Sequence, residues 1–175
     1  MKRAGALANY HSLQEKVDSL CRSIEQTLGT AITCHAGCSS CCLAISVFPV
    51  EAAAMIEAAG KLPPEQLLHL KQRLQSWSGG EVCPLLADAR CLLYEARPII
   101  CRTHGLPILL TEEGERRIDV CPLNCRGMER LPGEAILDLE RLNTMLAAVN
   151  ALYLREFGIK LPERIALAEL GEMLP

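Results

Sequence analysis

The residues of this chain that are best suited to chemistry are the cysteines of one short run. Four thiols, Cys34, Cys38, Cys41 and Cys42, fall within nine residues, and the chain has ten cysteines in all. A cluster this dense is typical of a disulfide framework, a metal site or thiol redox catalysis. The choice among these three decides most of what the sequence says about function.

The composition favours a globular protein with reduced thiols. The chain has 175 residues, of which 50% are hydrophobic and 22% are charged, enough for one domain whose core needs no disulfides. Segment 1–11 becomes polar before a long apolar run develops, which argues against a signal peptide, and no apolar stretch is long enough to span a bilayer. We therefore expect a cytoplasmic protein without a membrane partner, and a disulfide protein ranks last.

The spacing within the run is typical of metal ligands. Cys38 and Cys41 have the C-x-x-C spacing of a knuckle, in which a tight turn directs both sulfurs at one ion. Cys34 lies four residues earlier, within reach of the same site, and iron–sulfur proteins use equally dense runs. Gly37 suits such a turn because glycine adopts unusual dihedral angles. The run indicates metal binding but does not select the metal.

The adjacent pair Cys41 and Cys42 adds a geometric constraint. Neighbouring side chains diverge in both helices and strands, so the two thiols are poorly placed to serve one mononuclear ion. Either one is a ligand and the other is a small buried hydrophobe, or the pair reaches two different metals or two irons.

Cysteines in the middle of the chain extend the pattern. Cys83 precedes a short apolar stretch, Cys91 and Cys101 belong to a C-x-x-Y-x-x-R-P-x-x-C-R segment, and Cys121 is followed by proline. Together with the early C-x-x-x-C-x-x-C-C run, this arrangement resembles the YkgJ-like cysteine-cluster family, a zinc- or iron-chelating domain. The resemblance covers about residues 34–121.

The resemblance implies metal chelation by eight cysteines. These are Cys34, Cys38, Cys41, Cys42, Cys83, Cys91, Cys101 and Cys121. A relative, a flagellin lysine methylase, carries an iron–sulfur cluster, so the resemblance favours iron, as a 4Fe–4S cluster, over zinc. Eight thiols allow two four-sulfur sites, one cluster with a satellite site, or one site with several bystanders.

The resemblance also implies supporting roles for three residues of the C-x-x-Y-x-x-R-P-x-x-C-R segment. Arg97 and Arg102 would offset the negative charge of the thiolates and donate hydrogen bonds to sulfur. The alternative is an ordinary surface ion pair, for example with Glu95. Tyr94 would pack or hydrogen-bond beside the cofactor.

Other candidate ligands are open to a second interpretation. Cys125 lies four residues after Cys121 and could replace it as a ligand. His104 follows Cys101 at ligand spacing, but a loop histidine is more often not a ligand. Cys21 falls near the apolar face of the first predicted helix, where core packing is its better interpretation.

The elements that must position these residues are mainly helical. Apolar periodicity predicts helices over residues 7–28, 49–59, 64–77, 133–157 and 162–173. The first of them presents Leu13, Val17, Leu20, Ile24 and Leu28 on one face. A β-hairpin is predicted from 107–111 and 116–120, and a short strand over 91–94. The expected fold is mainly α: helices at both ends, packed around an irregular metal-binding centre with a short β-hairpin, in a single domain over residues 1–175.

Three functions are compatible with these features. The first is a metalloprotein with an iron–sulfur cluster, or with iron or zinc, in a cysteine cage that has a redox or metal-centred role. The second is a structural zinc module that presents its helices to a protein partner. The third is a cluster-containing methyltransferase-like enzyme. The lack of a glycine-rich nucleotide loop in the sequence argues against this third function. The net charge of −3 and an aromatic content of 3% argue against a nucleic-acid partner.

Overall fold

About half of the chain is helical. The computed structural model describes residues 7–35, 37–158 and 161–175. The helices are α1 (Ala8–Leu28), α2 (Pro49–Ala59), α3 (Pro64–Ser76), α4 (Ile99–Thr103), α5 (Leu139–Phe157) and α6 (Leu170–Met173), with 3-10 turns at Gly29–Ala31, Tyr94–Ala96, Gly133–Ala135 and Leu167–Glu169. Within these ranges no helix combines the length and the apolar character that a membrane crossing requires.

Short strands connect the helices. They are β1 (Ser46–Val47), β2 (Leu86–Ala87), β3 (Arg90–Cys91), β4 (Ile108–Glu112), β5 (Glu115–Asp119), β6 (Leu137–Asp138) and β7 (Ile165–Ala166). Strands β4 and β5 form an antiparallel hairpin, and β6 adds to β4 in parallel. The pairs β1–β7 and β2–β3 are antiparallel. Each sheet is therefore small. The β1–β7 and β4–β6 pairings join segments that are distant in sequence, whereas β2–β3 and β4–β5 are local.

Two hydrophobic clusters form the core, and α2 lies between them. Val50 and Ala54 of α2 join the first cluster, which packs the inner face of α1 against α4, α5 and β6. Ala52 and Met55, on another face of α2, join the second cluster with residues of α3, α6 and β7. A helix that is apolar around most of its circumference can serve two clusters in this way.

Helix α1 confirms the predicted helix over 7–28, with one correction to its buried face. Leu20 is 43% exposed, whereas Cys21 is only 7% exposed and packs in the first cluster. A period of 3.6 residues from Val17 places positions 21 and 24 on the buried side and position 20 toward solvent. Cys21 is therefore a core residue, as its position on the helix predicts.

The hairpin and the helices α2 and α3 are also confirmed, but the long C-terminal helix begins later than predicted. Residues 133–135 form a 3-10 turn, and β6 follows before α5 starts at Leu139. The Asp138 carboxylate accepts a hydrogen bond from the Arg141 N–H at 3.0 Å and caps the helix. Pairing of β6 with β4 and this cap together override the helical pattern upstream of residue 139.

Two further predictions were wrong for a similar reason. In place of a helix over 162–173, β7 pairs with β1 and only α6 is α-helical at the end of the chain. In place of a strand over 91–94, β3 ends at Cys91 and residues 94–96 form a 3-10 turn. Strand β7 takes its conformation from the distant strand β1 and β3 from the nearby strand β2, and local periodicity reveals neither pairing.

A buried carboxylate joins the two helices nearest the cysteines. Glu51, which is 2% exposed, lies in the first turn of α2. Its Oε2 accepts a hydrogen bond from the Phe48 N–H at 3.0 Å, and its Oε1 accepts one from the Ile99 N–H at 2.9 Å. Burial raises the pKa of this carboxyl, and the two N–H donors oppose the rise. Glu51 thereby fixes the start of α4, the helix that carries Cys101.

We expect Glu51→Gln to destabilise the protein by about 1–3 kcal/mol, because an amide NH₂ would face one of the two buried backbone donors. The free energy of unfolding from urea titration measures this loss. Glu57→Gln is the matched control, since Glu57 in the same helix makes an exposed ion pair with Lys61 worth at most about 1 kcal/mol. Equal effects of the two substitutions would contradict the role assigned to Glu51.

Candidate metal centre

The segment that carries the first four cysteines is built from tight turns. The Cys38 N–H donates to the His35 carbonyl and the Cys42 N–H to the Ser39 carbonyl, both at 3.0 Å. Gly37 has φ +97°, a conformation that favours glycine. The turns leave Cys34 and Cys41 exposed and bury part of Cys38 and Cys42. The turn predicted around the C-x-x-C spacing is therefore present.

Four cysteines meet beside the second hydrophobic cluster, and we call Cys42, Cys83, Cys91 and Cys101 the inner group. The Cys83 N–H donates to the Cys42 carbonyl at 2.9 Å, and Cys91 lies opposite Leu86 in the β2–β3 pair. Burial and the neighbouring thiolates of the group raise the pKa of Cys91 to about 11 and that of Cys101 to about 12. Cys83 belongs to the second hydrophobic cluster, Cys42 and Cys91 pack against it, and Cys101 is coupled electrostatically to all three.

The remaining four cysteines of the predicted set form a second neighbourhood, and we call Cys34, Cys38, Cys41 and Cys121 the outer group. Burial raises the pKa of Cys41, and the thiolates of Cys42, Cys38 and Cys34 raise it further. Cys121 joins them through Gly105. A Cβ atom at Gly105 would lie 3.1 Å from the Cys34 sulfur and 3.7 Å from the Cys121 Cβ atom.

The adjacent cysteines 41 and 42 belong to different groups. Cys42 interacts with Cys83 of the inner group, while its sulfur is also a hydrogen-bond partner of the Cys41 thiol. Cys41 lies in a turn and Cys42 directly follows it. The contact between their thiols joins the two groups at this pair.

Asn124 is a buried amide at the outer group that the sequence interpretation missed. It is 3% exposed. Its Nδ2 donates to the Cys34 sulfur at 3.3 Å and to the Gly105 carbonyl at 2.8 Å, while its Oδ1 accepts from the Thr33 N–H at 2.9 Å. The sequence shows only that Asn124 lies between Cys121 and Cys125. That position does not reveal whether its amide is buried or exposed to solvent.

Arg97 lies beside the inner group. Its guanidinium stacks on the ring of Tyr94, with the Cζ atom 3.5 Å from the ring centroid. Its positive charge lowers the pKa of Cys42, Cys91 and Cys101 against the larger effect of burial. Its Nε is buried and has no hydrogen-bond partner in the described part of the chain. A buried unpaired N–H beside a group of thiols is suited to a sulfur acceptor.

Arg102 is engaged elsewhere. Its side chain is 6% exposed, and its Nη1 pairs with the Asp18 carboxylate of α1 at 2.8 Å. Its Nε donates to the Arg97 carbonyl at 2.7 Å, and its Nη2 donates to the Glu95 carbonyl. The ion-pair partner is thus Asp18 and not the Glu95 carboxylate. These bonds fix the turn between Tyr94 and α4, and contact of Arg102 with a cofactor stays a prediction.

The other candidate ligands lie apart from both groups or make different contacts. Cys125 is 9% exposed, packs in the first hydrophobic cluster, and donates its N–H to the Ala31 carbonyl at 2.8 Å. His104 is exposed at the end of α4. His35 is exposed as well, and its Nδ1 lies 2.9 Å from the Thr33 carbonyl oxygen.

The eight thiols approach one another but do not form a finished coordination sphere. Among the described residues, no three His, Cys, Asp or Glu side chains are placed to hold one metal ion. The structure therefore does not show the predicted metal-binding centre among these residues, and the sulfurs would have to converge for a metal to bind. The donor set fits a thiophilic cation, because all ten cysteines are free thiols and thiolates are the ligands of zinc and of iron–sulfur clusters.

The family model named CxxCxxCC, described as "Putative zinc- or iron-chelating domain", matches residues 33–126. That segment contains both cysteine groups and more than half of the chain. The chain belongs to this family. The match confirms the resemblance found from the cysteine spacing and supports metal binding as the chemistry of the site. No curated protein and no solved structure matches the chain.

Gly105→Ala tests the close approach between the outer cysteines. The backbone φ of +94° alone costs an alanine about 1–2 kcal/mol, and the added methyl would press on the Cys34 sulfur. Gly114→Ala is the matched control, because Gly114 has φ +85° and nothing within 4 Å of its Cβ position. We expect Gly105→Ala to lower the free energy of unfolding by about 1 kcal/mol more than Gly114→Ala does.

The rate of Cys34 alkylation by a maleimide in the metal-free protein gives a second measurement. Displacement of Cys34 should weaken its bond to Asn124 and speed the reaction in Gly105→Ala only. Matching stability losses and matching alkylation rates in the two variants would show that Gly105 is required for its backbone conformation and not for its contact with Cys34.

Proposed function

We propose that this protein binds iron or zinc through eight cysteines arranged as two adjoining four-thiol sites. The observation that carries the proposal is the match of the zinc- or iron-chelating family model to residues 33–126, which contain all eight cysteines. Two contacts support the arrangement in two groups: the approach of the Cys34 sulfur and the Cys121 Cβ atom at Gly105, and the backbone bond from Cys83 to Cys42. Four thiolates are the full ligand set of a tetrahedral zinc site and of a 4Fe–4S cluster. Each group therefore supplies the sulfurs for one metal centre.

For the inner group we propose a 4Fe–4S cluster, which would supply one-electron redox chemistry. Cys42, Cys83, Cys91 and Cys101 would hold it. Three features support iron here: the partial burial of the group, the apolar cluster behind it, and the nearby guanidinium of Arg97 with its unpaired buried Nε. A positive charge and an N–H donor beside cluster sulfurs lower the cost of burying their negative charge. Arg97 would act on the cluster through this charge and this donor.

The inner group also explains how a metal would stabilise the fold. Its four ligands lie on the segment before β1, the segment before β2, strand β3 and helix α4. One metal centre would join these four parts of the chain at a single place. Because the ligands must be brought together for the metal to bind, part of the binding free energy would become free energy of folding.

Anaerobic purification followed by elemental analysis tests the proposal directly. We expect iron and acid-labile sulfide in the protein, with a broad brown absorbance near about 400 nm. A colourless protein with stoichiometric zinc would overturn the cluster and leave a structural zinc module as the function. A folded protein without bound metal would overturn metal binding itself.

Cysteine substitutions test the assignment of ligands to the inner group. Cys91→Ser should remove the cluster iron and lower the free energy of unfolding by several kcal/mol, because metal binding and folding are coupled. Cys21→Ala is the control: Cys21 is a buried thiol in the other hydrophobic cluster, so its loss should leave the metal content unchanged. Full metal content in Cys91→Ser would remove Cys91 from the ligand set.

A further inference from the structure

We propose that Cys34 and Cys121 form a reversible redox pair: when neither sulfur is bound to a metal, they react with a low-molecular-weight disulfide and close an intramolecular disulfide bond. This inference goes beyond the proposed function and does not depend on it, because it uses only contacts within the protein. It concerns a bond that forms and breaks and not a permanent disulfide, since all ten cysteines are free thiols in the structure.

The two cysteines meet on one side of Gly105. A Cβ atom at Gly105 would lie 3.1 Å from the Cys34 sulfur and 3.7 Å from the Cys121 Cβ atom. The sulfur of Cys34 and the Cβ atom of Cys121 are therefore no farther apart than the sum of these two distances. Neither cysteine belongs to a helix or a strand, so the approach of the two side chains to disulfide geometry, with Cβ atoms about 4 Å apart, breaks no element.

Hydrogen bonds within the protein tie the two loop segments together. The Thr33 N–H donates to the Asn124 Oδ1 at 2.9 Å, and the Thr33 hydroxyl donates to the Leu123 carbonyl at 3.0 Å. The Asn124 N–H donates to the Cys121 carbonyl at 2.8 Å. These bonds hold the residue before Cys34 beside the turn that begins at Cys121. Each sulfur consequently meets the other at a high effective concentration.

Asn124 also fixes the position of the attacking sulfur. Its side chain is 3% exposed, and its Nδ2 donates to the Cys34 sulfur at 3.3 Å and to the Gly105 carbonyl at 2.8 Å. Cys34 is exposed to solvent, whereas Cys121 is half-buried. A small disulfide from solution therefore reaches Cys34 first, and Cys121 is the thiol that resolves the product.

Other thiols near the pair are less suited to the same reaction. The Cys41 and Cys42 thiols are hydrogen-bond partners, but a disulfide between adjacent residues departs from the usual Cα separation and is strained. Cys125 is 9% exposed and packs in the first hydrophobic cluster, out of reach of a reagent in solution.

The reaction consists of two thiol–disulfide exchanges. The Cys34 thiolate attacks one sulfur of the small disulfide, whose S–S bond breaks, and a first small thiol leaves. The Cys121 thiolate then attacks the Cys34 sulfur of the mixed disulfide, and a second small thiol leaves. The protein gives up two electrons and two protons, and the small disulfide takes up both, so the reaction balances and excess small thiol reverses it.

Equilibration of the full-length protein with oxidised and reduced glutathione, after a chelator has removed bound metal, tests the inference. Circular dichroism checks that the helical content is kept. Free thiols are then blocked with N-ethylmaleimide, disulfides are reduced, and the new thiols are labelled with iodoacetamide and located by fragment-ion sequencing. We expect the label on Cys34 and Cys121 in preference to the other eight cysteines.

A pair of variants separates the attacking thiol from the resolving one. Cys121→Ser should leave glutathione attached to Cys34 at a level at least about tenfold higher than in the unsubstituted protein, because the intramolecular thiol that displaces it is missing. Cys38→Ser is the matched control: Cys38 is a half-buried cysteine of the same segment, and its loss should change neither the Cys34–Cys121 disulfide nor the adduct.

Three results would overturn the redox pair. They are a label spread evenly over the cysteines, a glutathione adduct that persists on Cys34 while Cys121 is present, and a loss of helical content on metal removal, since protein hydrogen bonds alone are held to keep the pair together. Elemental analysis of the untreated protein decides the proposed function separately, so either idea can fail while the other stands.

Discussion

The backbone pairing between residues 42–44 and 81–83 is the interaction on which the metal centre depends. It combines the Cys83–Cys42 hydrogen bond of 2.9 Å with the Leu43–Val82 bridge. The pairing places the backbone of Cys42 beside Cys83, and Cys42 packs against the second hydrophobic cluster. The preceding residue, Cys41, lies in an exposed turn.

The surroundings of each group follow from the elements that meet there. The inner group lies against the second hydrophobic cluster, and α4 carries Cys101 into it from a start fixed by the buried Glu51 carboxylate. The Arg102–Asp18 ion pair ties the same region to α1. In the described part of the chain the outer cysteines are not among the residues of either hydrophobic cluster, and Asn124 makes a polar contact with Cys34. Apolar packing positions the inner thiols, and hydrogen bonding of Asn124 positions Cys34 of the outer group.

Most of the helices could be predicted because their apolar periodicity is long and regular. Helices α1, α2 and α3 and the β4–β5 hairpin match the expected bounds closely. The errors lie where a segment of two or three residues pairs with a distant one, as β6 does with β4 and β7 with β1. Short strands of this kind have no periodicity of their own. On the predicted buried face of α1 only Leu20 is exposed, while Cys21 is buried as predicted.

The sequence by itself determined the family and its chemistry, because the number, spacing and flanking residues of the cysteines are local features. Only the tertiary structure decided which thiols share a neighbourhood, because Cys83, Cys91, Cys101 and Cys121 reach the loop through contacts between segments far apart in the chain. It also decided the roles of Asn124 and Asp18, whose partners lie on other elements and leave no trace in local sequence.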